Sequence, residues 1–339
     1  MTTVQLRNLG TTGVRVSELC LGAMTFGREI DEAQSRTILD RYLDAGGNFV
    51  DTANVYGAGA SEDILGRALS GRRDAIVLAT KFRMPMPGPN GQGAPNDQGA
   101  SRRSIRTAVE ASLRRLQTDW IDLYQIHCYD RTTPLAETLS TLDALVREGK
   151  VRYVGASNFT GWQLAKALGL QTRHGWEPFV SLQPQYSLVT RDIERELLPL
   201  CIEEGLAVLP WSPLGGGLLT GKYRAGAAPP AESRAADSTP SAILMRQRLQ
   251  EQQHFAIAEV VGKCAAELGC SAAQLALTWV RTRPGVTSPI LGARTLAQLD
   301  DNLGCLDVTI PESIEQQLEA ASGIVKGYPY DFIDWIHAR

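Results

Sequence analysis

Eight short β-rich runs, at residues 19–23, 49–52, 76–80, 121–126, 151–156, 179–183, 207–210 and 289–291, alternate with amphipathic stretches, and no other feature constrains the fold of this 339-residue chain as tightly. The intervening stretches, among them 33–45, 61–69, 104–116, 135–146 and 193–203, place apolar residues near helical spacing. Strands separated by covering helices pair in parallel. Eight such units predict a closed (β/α)8 TIM barrel of the α/β class, because each parallel strand needs a helix over it and closure removes both exposed edges. An open doubly wound sheet is the competing architecture. Against it, no GxGxxG follows the first strand, and the opening LGAMTFG has the wrong spacing for a pyrophosphate turn. Ahead of the barrel, residues 4–9 and 14–16 flank the turn GTTG and predict a β-hairpin. Residues 1–339 are expected to form a single domain, with extra helices beyond the eight units.

Composition narrows the functional classes. A formal net charge of −3 gives no basic footprint for nucleic acid, and no Lys/Arg run suits an anionic membrane surface. The start lacks a charged stretch leading into an apolar one, and nowhere do about eighteen apolar residues run together, so neither export nor a membrane span is expected. The expected setting is the cytoplasm, and the expected partner is a small molecule. Six cysteines without a CxxC pair predict reduced thiols, and four dispersed histidines without helical ligand spacing predict no metal site.

A barrel also says where to look, since active sites form at the C-terminal ends of the strands and in the loops that follow. Asp51 and Tyr56 lie in DTANVYG after the second run, Lys81 ends the third in LATKF, and His127 ends the fourth in LYQIHCY. A Lys on an apolar strand is drawn into a partly dry site, where a carboxylate such as Asp51 keeps it charged. A charged Lys beside a phenol is expected to lower the phenol's pKa toward the range of a general acid. His127 could then hydrogen-bond the substrate oxygen that Tyr56 protonates. Singly each residue has a plainer role: a helix cap for Asp51, loop packing for Tyr56, a solvated Lys81, a satisfied core His127. Four at successive strand ends of one barrel are harder to dismiss.

Taken in order, DTANVYG, LATKF, SLRRLQTDWIDLYQIH, GKVRYVGASNF, WSPLGGGLLTGKY and LGARTLAQLDDNL resemble the aldo-keto reductases, over nearly the whole chain from Val4 to Leu303. Within that family, WSPLGGG, GKY and GARTLAQL are most similar to the bacterial general reductases and the potassium-channel β subunits. The resemblance implies NADPH-dependent reduction of aldehydes or ketones, with Tyr56 as proton donor, Lys81 and Asp51 tuning it, and His127 orienting the carbonyl. In the channel subunits the position of His127 is commonly Asn; the His here favours turnover over the alternative, a low-turnover nucleotide-sensing subunit of a membrane protein.

The same resemblance implies a cofactor cradle. Ser157, Asn158 and Gln183 would hold the nicotinamide amide, with Asp51, Gly22 and Met24 beneath it, and Trp211 would stack on the ring. Ser212, Pro213, Leu214, Gly215 and Gly217 would line the pyrophosphate, and Lys222 and Arg234 would close over it. Gly292, Arg294, Thr295, Gln298, Asp301 and Asn302 would hold the adenosine end, where a helix start offers free N–H groups. Gln298 stands where some relatives carry Arg, so NADPH is the expected cofactor with room for some NADH use. Met24, Phe26, Tyr56, Met84, His127, Cys128 and Trp162 are the candidate substrate pocket. Aromatic or aliphatic aldehydes fit it best, with a nucleotide-linked keto-sugar as a second candidate. Residues 83–100, dense in Pro, Gly and Asn, form either a wall of that pocket or a surface loop. Residues 213–241 could fold over a phosphate-bearing ligand, and the aromatic C-terminal segment could cover the pocket or join copies into a homo-oligomer.

Overall fold

In the computed structural model the predicted runs become strands wherever a covering helix follows, and the structure describes residues 4–86, 96–230, 233–236, 243, 246, 249 and 251–338. The side chain of Arg234 also lies outside the described residues. The hairpin pairs β1 (Leu6–Asn8) with β2 (Arg15–Ser17) antiparallel, in register Leu6 opposite Ser17. Eight parallel strands follow: β3 (Cys20–Gly22), β4 (Phe49–Asp51), β5 (Val77–Phe82), β6 (Ile121–Ile126), β7 (Val151–Ser157), β8 (Phe179–Gln183), β9 (Ala207–Val208) and β10 (Ile290–Leu291). They lie side by side in chain order, with β10 returning to β3. The ring closes through Thr287 N to Val208 O (2.9 Å), Ile290 N to Pro210 O (2.8 Å) and Cys20 N to Pro289 O (2.9 Å), completing a (β/α)8 barrel.

Six of the eight strands shift a boundary by one or two residues from the sequence expectation, and at two of them, β9 and β10, proline explains the change. Pro210 and Pro289 have no N–H to give, so β9 and β10 end short of residues 210 and 289 while both carbonyls still accept closing bonds. The helix expected at 193–203 divides into a 3-10 turn, Asp192–Glu194, and a helix, Leu197–Glu203. Pro199 is tolerated only in a first helical turn, so the helix starts at its N-terminal side.

The covering helices are α1 (Glu32–Asp44), α2 (Ala60–Ala68), α3 (Arg102–Leu116), α4 (Leu135–Arg147), α5 (Gly161–His174), α6 (Leu197–Glu203), α7 (Gln252–Leu268), α8 (Ala272–Arg281) and α9 (Leu296–Leu303). After them come α10 (Glu312–Ser322) and α11 (Tyr330–His337). Local chemistry sets several of their starts. Asp31 accepts from Gln34 N (2.9 Å) while Gln34 Oε1 accepts from Asp31 N (3.2 Å), and Ser271 with Gln274 repeats the exchange at α8.

The apolar core has two parts. One fills the space between strands and helices, and the other packs Leu9 and Val16 of the hairpin against Phe49, Leu123, Val180 and Leu209 inside the barrel. The hairpin thus plugs the floor, helped by Gly10: at φ +60° it lies so near Val180 O and Gly205 O that a Cβ would sit 2.7 and 2.8 Å from them. With one end stoppered, the open mouth is where the strands finish. All six cysteines carry free thiols; Cys128 and Cys270 are partly exposed and the rest buried. No helix among the described residues is long and apolar enough to cross a membrane.

Candidate active site

The strand ends deliver their polar side chains into one hydrogen-bonded knot. Asp51 closes β4, Lys81 sits one residue before the end of β5 and pairs across with Gln125 of β6, and Gln183 closes β8 opposite Ser157. Lys81 and Gln125 have no solvent contact, and Asp51 and Gln183 are 3% exposed. Such burial is tolerable because every charge is answered. Asp51 Oδ2 accepts from Lys81 Nζ (2.5 Å), and its Oδ1 accepts from Gln183 Nε2 (2.8 Å) and Gln125 Nε2 (3.2 Å). Lys81 Nζ also donates to Thr52 O (2.8 Å) and to the hydroxyl of Tyr56 (3.4 Å).

Tyr56 reaches this knot from the loop after β4, at the start of a 3-10 turn, Tyr56–Gly59, in which Gly57 and Ala58 are left-handed. Ser61 fixes that loop by donating to Ala23 O (2.7 Å) and sharing a hydrogen with Thr52 Oγ1 (2.7 Å). The His127 ring stands edge-on to the phenol, 5.7 Å between centroids, and the backbone amide of His127 donates to Phe82 O (3.1 Å), which anchors the residue at the end of β6.

Electrostatics refine the sequence expectation. Burial raises the Tyr56 pKa above the ordinary phenol value; Lys81 opposes that rise and Asp51 adds to it. The expected lowering by Lys81 is therefore present but outweighed by desolvation. Burial pulls Lys81 down, yet Asp51 and Tyr56 outweigh it and leave the ammonium above its usual range. Burial, then Lys81, then Arg83 push His127 down to about 3, so the imidazole is neutral at physiological pH. Its Nδ1 is buried and without a partner.

From this knot a cleft of about 600 Å³ runs across the barrel mouth to the start of α9. Tyr56, Asp51, His127, Gly22, Met24, Met84 and Cys128 line its inner end, while Lys81 lies behind Asp51 and Tyr56, out of the cleft. Ser157, Asn158, Gln183 and Trp211 form the next stretch of wall. Asn158 is at φ +54°, its Nδ2 donates to His127 O (2.8 Å), and its Oδ1 takes the indole N–H of Trp211 (3.2 Å), which fixes the ring plane. Ser157 Oγ donates to Gln183 O (2.7 Å). Ser212, Pro213, Leu214, Gly217 and Lys222 continue the wall, and Gly292, Arg294, Gln298, Asp301 and Asn302 finish it. Arg294 N donates to Gln298 Oε1 (2.9 Å), and its guanidinium faces Glu29 at 3.8 Å.

Several expected residues fall elsewhere. Phe26 is fully buried in the core, turned inward where its loop folds back and its N–H meets Ala23 O, and so does not reach the pocket. Trp162 is 59% exposed on α5, edge-on to Tyr129 outside the cleft. Gly215 is buried, its missing side chain facing Val189 rather than the opening. Thr295 caps α9, its Oγ1 accepting from Gln298 N (3.2 Å), and does not line the cleft. Arg234, in its side chain, and residues 87–95 of the long loop lie outside the described residues. The exposed aromatics of α11 are not on the cleft. Conversely, Thr25, Glu29, Gly216 and Thr220 line it without having been expected, as do Ser271, Ala273 and Leu277 of α8 and the β10 segment Ile290, Leu291 and Ala293. The glycine run signalled Gly216; nothing local signals the α8 residues, which arrive by helix packing. Among the described residues no three His, Cys, Asp or Glu side chains gather as a metal site.

Comparison of the sequence with known proteins gives the family. A sequence model of the aldo/keto reductase family matches residues 18–322. An uncharacterized oxidoreductase, YrpG, of Bacillus subtilis is 42% identical over 318 residues, covering 91% of this chain and 93% of its own. The norsolorinic acid reductase of Aspergillus flavus is 34% identical over 334 residues, 95% of this chain and 82% of its own. A probable voltage-gated potassium channel subunit beta of Oryza sativa subsp. japonica is 37% identical over 333 residues, 96% and 98%. The family model covers most of the chain and these relatives match it over nearly its whole length; the chain belongs to the aldo/keto reductase family of oxidoreductases.

Proposed function

We propose that this protein reduces aldehydes or ketones to alcohols with NADPH, and that Tyr56 is the general acid. One observation carries the reading: the Tyr56 hydroxyl accepts a hydrogen bond from a fully buried ammonium, Lys81, at 3.4 Å, beside a neutral imidazole at the inner end of the cleft. The cleft wall suits a dinucleotide by its own chemistry. Ser212, Gly216 and Gly217 take φ of +53°, +73° and +97°, left-handed backbone that forms a concave wall for phosphate oxygens. Lys222 lies over Gly217, where an added Cβ would come within 2.8 Å of its Nζ. At the far end Arg294 and the start of α9 supply positive potential.

When bound, the nicotinamide supplies the hydride. Tyr56 donates its proton to the carbonyl oxygen, and the charge left on the phenol is met by Lys81, whose own charge Asp51 maintains. His127, neutral, donates its remaining N–H to the same oxygen, which places the proton on Nε2 and leaves Nδ1 as an unpaired acceptor. One such donor contributes roughly 10²- to 10³-fold to turnover. The apolar Met24, Met84 and Cys128 shape the substrate end.

The names of relatives divide between a reductase and a channel subunit. His127 beside Tyr56 favours turnover over a sensing role. Steady-state NADPH oxidation with an aldehyde panel tests this directly. Tyr56→Phe is expected to lose at least roughly 10²-fold in kcat while its NADPH dissociation constant stays within about twofold. Equal turnover in the variant would remove Tyr56 as the acid, and no turnover by the wild type would favour the sensing subunit.

A further inference from the structure

Arg83 is a cation near the reaction centre that the chemistry above leaves unused and, unlike Arg28, which pairs with Glu29, it has no acid paired with it among the described residues. It follows Phe82, the last residue of β5, and the pairing of Phe82 with Ile126 together with the bond from His127 N to Phe82 O (3.1 Å) sets it alongside His127 and Cys128. Its neighbour Met84 lines the inner end of the cleft, as do His127 and Cys128. Two features of Arg83 cost free energy that folding alone does not recover. Its φ is +98°, a region that glycine enters freely and that costs another residue about 1–3 kcal/mol. Its side chain is half-buried with Nε out of solvent, yet it makes no hydrogen bond or ion pair among the described residues.

The two buried acids nearest the inner end, Asp130 and Asp51, are otherwise engaged. Asp130, the nearest carboxylate to Cys128 in the loop after β6, accepts from Ala100 N (2.8 Å), Thr132 N (2.9 Å), Thr132 Oγ1 (2.7 Å) and Thr133 Oγ1 (2.8 Å). Asp51 is taken by Lys81 and the two glutamines. Arg83 stands beside the lining residues Met84, His127 and Cys128, whereas the cations that line the cleft itself, Lys222 and Arg294, stand toward its nucleotide end. Arg83 and Lys81 both act on His127 to keep it neutral, which agrees with the guanidinium lying near the ring. A strained, half-buried guanidinium with no counter-charge among the described residues, next to residues that line the inner end of the cleft, has the chemistry of an anion receptor.

We propose that Arg83 selects carbonyl substrates that carry an oxyanion, a carboxylate or a phosphate, placed away from the carbonyl that Tyr56 protonates. This rests on the carbonyl-reductase reading and narrows it from neutral aldehydes to anionic ones. The planar guanidinium takes two oxygens of such a group at once, so the substrate is held by its charge while its carbonyl turns to Tyr56 and His127.

Two matched pairs of aldehydes test it: 4-formylbenzoate against its methyl ester, and glyceraldehyde 3-phosphate against glyceraldehyde, each with the full chain and NADPH. At least one charged member is expected to exceed its neutral partner about tenfold or more in kcat/KM, mainly through KM, and which pair responds names the oxyanion. Arg83→Gln is expected to collapse that ratio toward one, and Arg83→Lys to keep part of it. Arg83→Gly relieves the backbone and keeps the fold, so a collapsed ratio there as well, with an undiminished melting temperature, separates lost recognition from structural damage. Ratios near one in the wild type, or a ratio that Arg83→Gln leaves unmoved, would overturn the proposal while the reductase reading stands. Failure to reduce any of the four aldehydes would overturn both.

Discussion

The two ends of the cleft are built on opposite plans. At the inner end, Asp51, Lys81, Gln125 and Gln183 project from strands, are nearly closed to solvent and satisfy one another's hydrogen bonds. At the outer end, Ser212, Gly217, Lys222, Arg294 and Gln298 stand on a turn and a helix start, reach solvent, and depend on backbone shape more than on side-chain bonds. At the inner end, then, the groups proposed for chemistry are also groups that stabilise the fold. At the outer end binding can change while the barrel stays as it is.

The largest expected effect follows from that coupling. Lys81→Met leaves the Asp51 carboxylate buried with only two amide donors, and losing one partner of a buried pair typically costs about 3–5 kcal/mol. Urea denaturation is expected to show that loss together with loss of turnover. Adding Asp51→Leu removes the stranded charge and is expected to restore most of the stability and none of the turnover. A Lys81→Met protein as stable as the wild type would show that the pair is not part of what holds the barrel, and would dissolve the contrast between the ends.

The same contrast explains what the sequence could and could not tell. Asp51, Lys81, His127 and Gln183 were legible because a strand in a barrel fixes where its last side chains point. Gln125 was passed over: an amide inside IDLYQI carries no motif, and its meaning lies in the neighbour across the strand. Phe26 and Trp162 were assigned to the pocket on size and apolarity, which do not say whether a side chain turns into the core, the cleft or solvent. At the outer end the glycine run and the helix start were visible as local patterns, whereas Ser271, Ala273 and Leu277 reach the cleft through the packing of α8, which no local pattern encodes. The direction of the Tyr56 shift was missed for a related reason. Sequence named the neighbouring ammonium, but only the folded chain reveals how strongly burial works against it.

His127 offers a second test of the inner end, through pH. Its folded pKa near 3 lies below the unfolded value of about 6.5, so between those values the unfolded chain binds a proton that the folded chain refuses. Its contribution to stability is therefore complete above pH ~6.5 and diminishes as pH falls toward 3, a slope of up to about 1.4 kcal/mol per pH unit for one proton. His127→Gln removes that proton uptake. The difference in unfolding free energy between wild type and variant is expected to change with pH across this window and to be flat above it; a difference that stays constant from pH 6 down to 4 would mean that the ring takes up its proton in the folded protein.

The outer end is expected to respond in nucleotide selectivity, by smaller amounts and with the fold unmoved. If the guanidinium of Arg294 meets the 2′-phosphate, Arg294→Gln raises the NADPH dissociation constant roughly tenfold, the worth of one charge-assisted contact in a partly exposed place, and changes NADH binding by less than about twofold. Glu29 faces the same guanidinium at 3.8 Å and also lines the cleft, so it competes with an incoming phosphate for that charge. Glu29→Gln is accordingly expected to act in the opposite sense, tightening NADPH by about two- to fivefold and leaving NADH nearly as it was. Titration calorimetry with both nucleotides on both variants separates the cases. If Arg294→Gln weakens NADH and NADPH alike, the arginine serves a part of the nucleotide that the two share, and selectivity must be sought on the Lys222 side of the cleft. Opposite signs for the two variants on NADPH alone would instead locate the discrimination between these two side chains, in a region whose change leaves the buried inner knot intact.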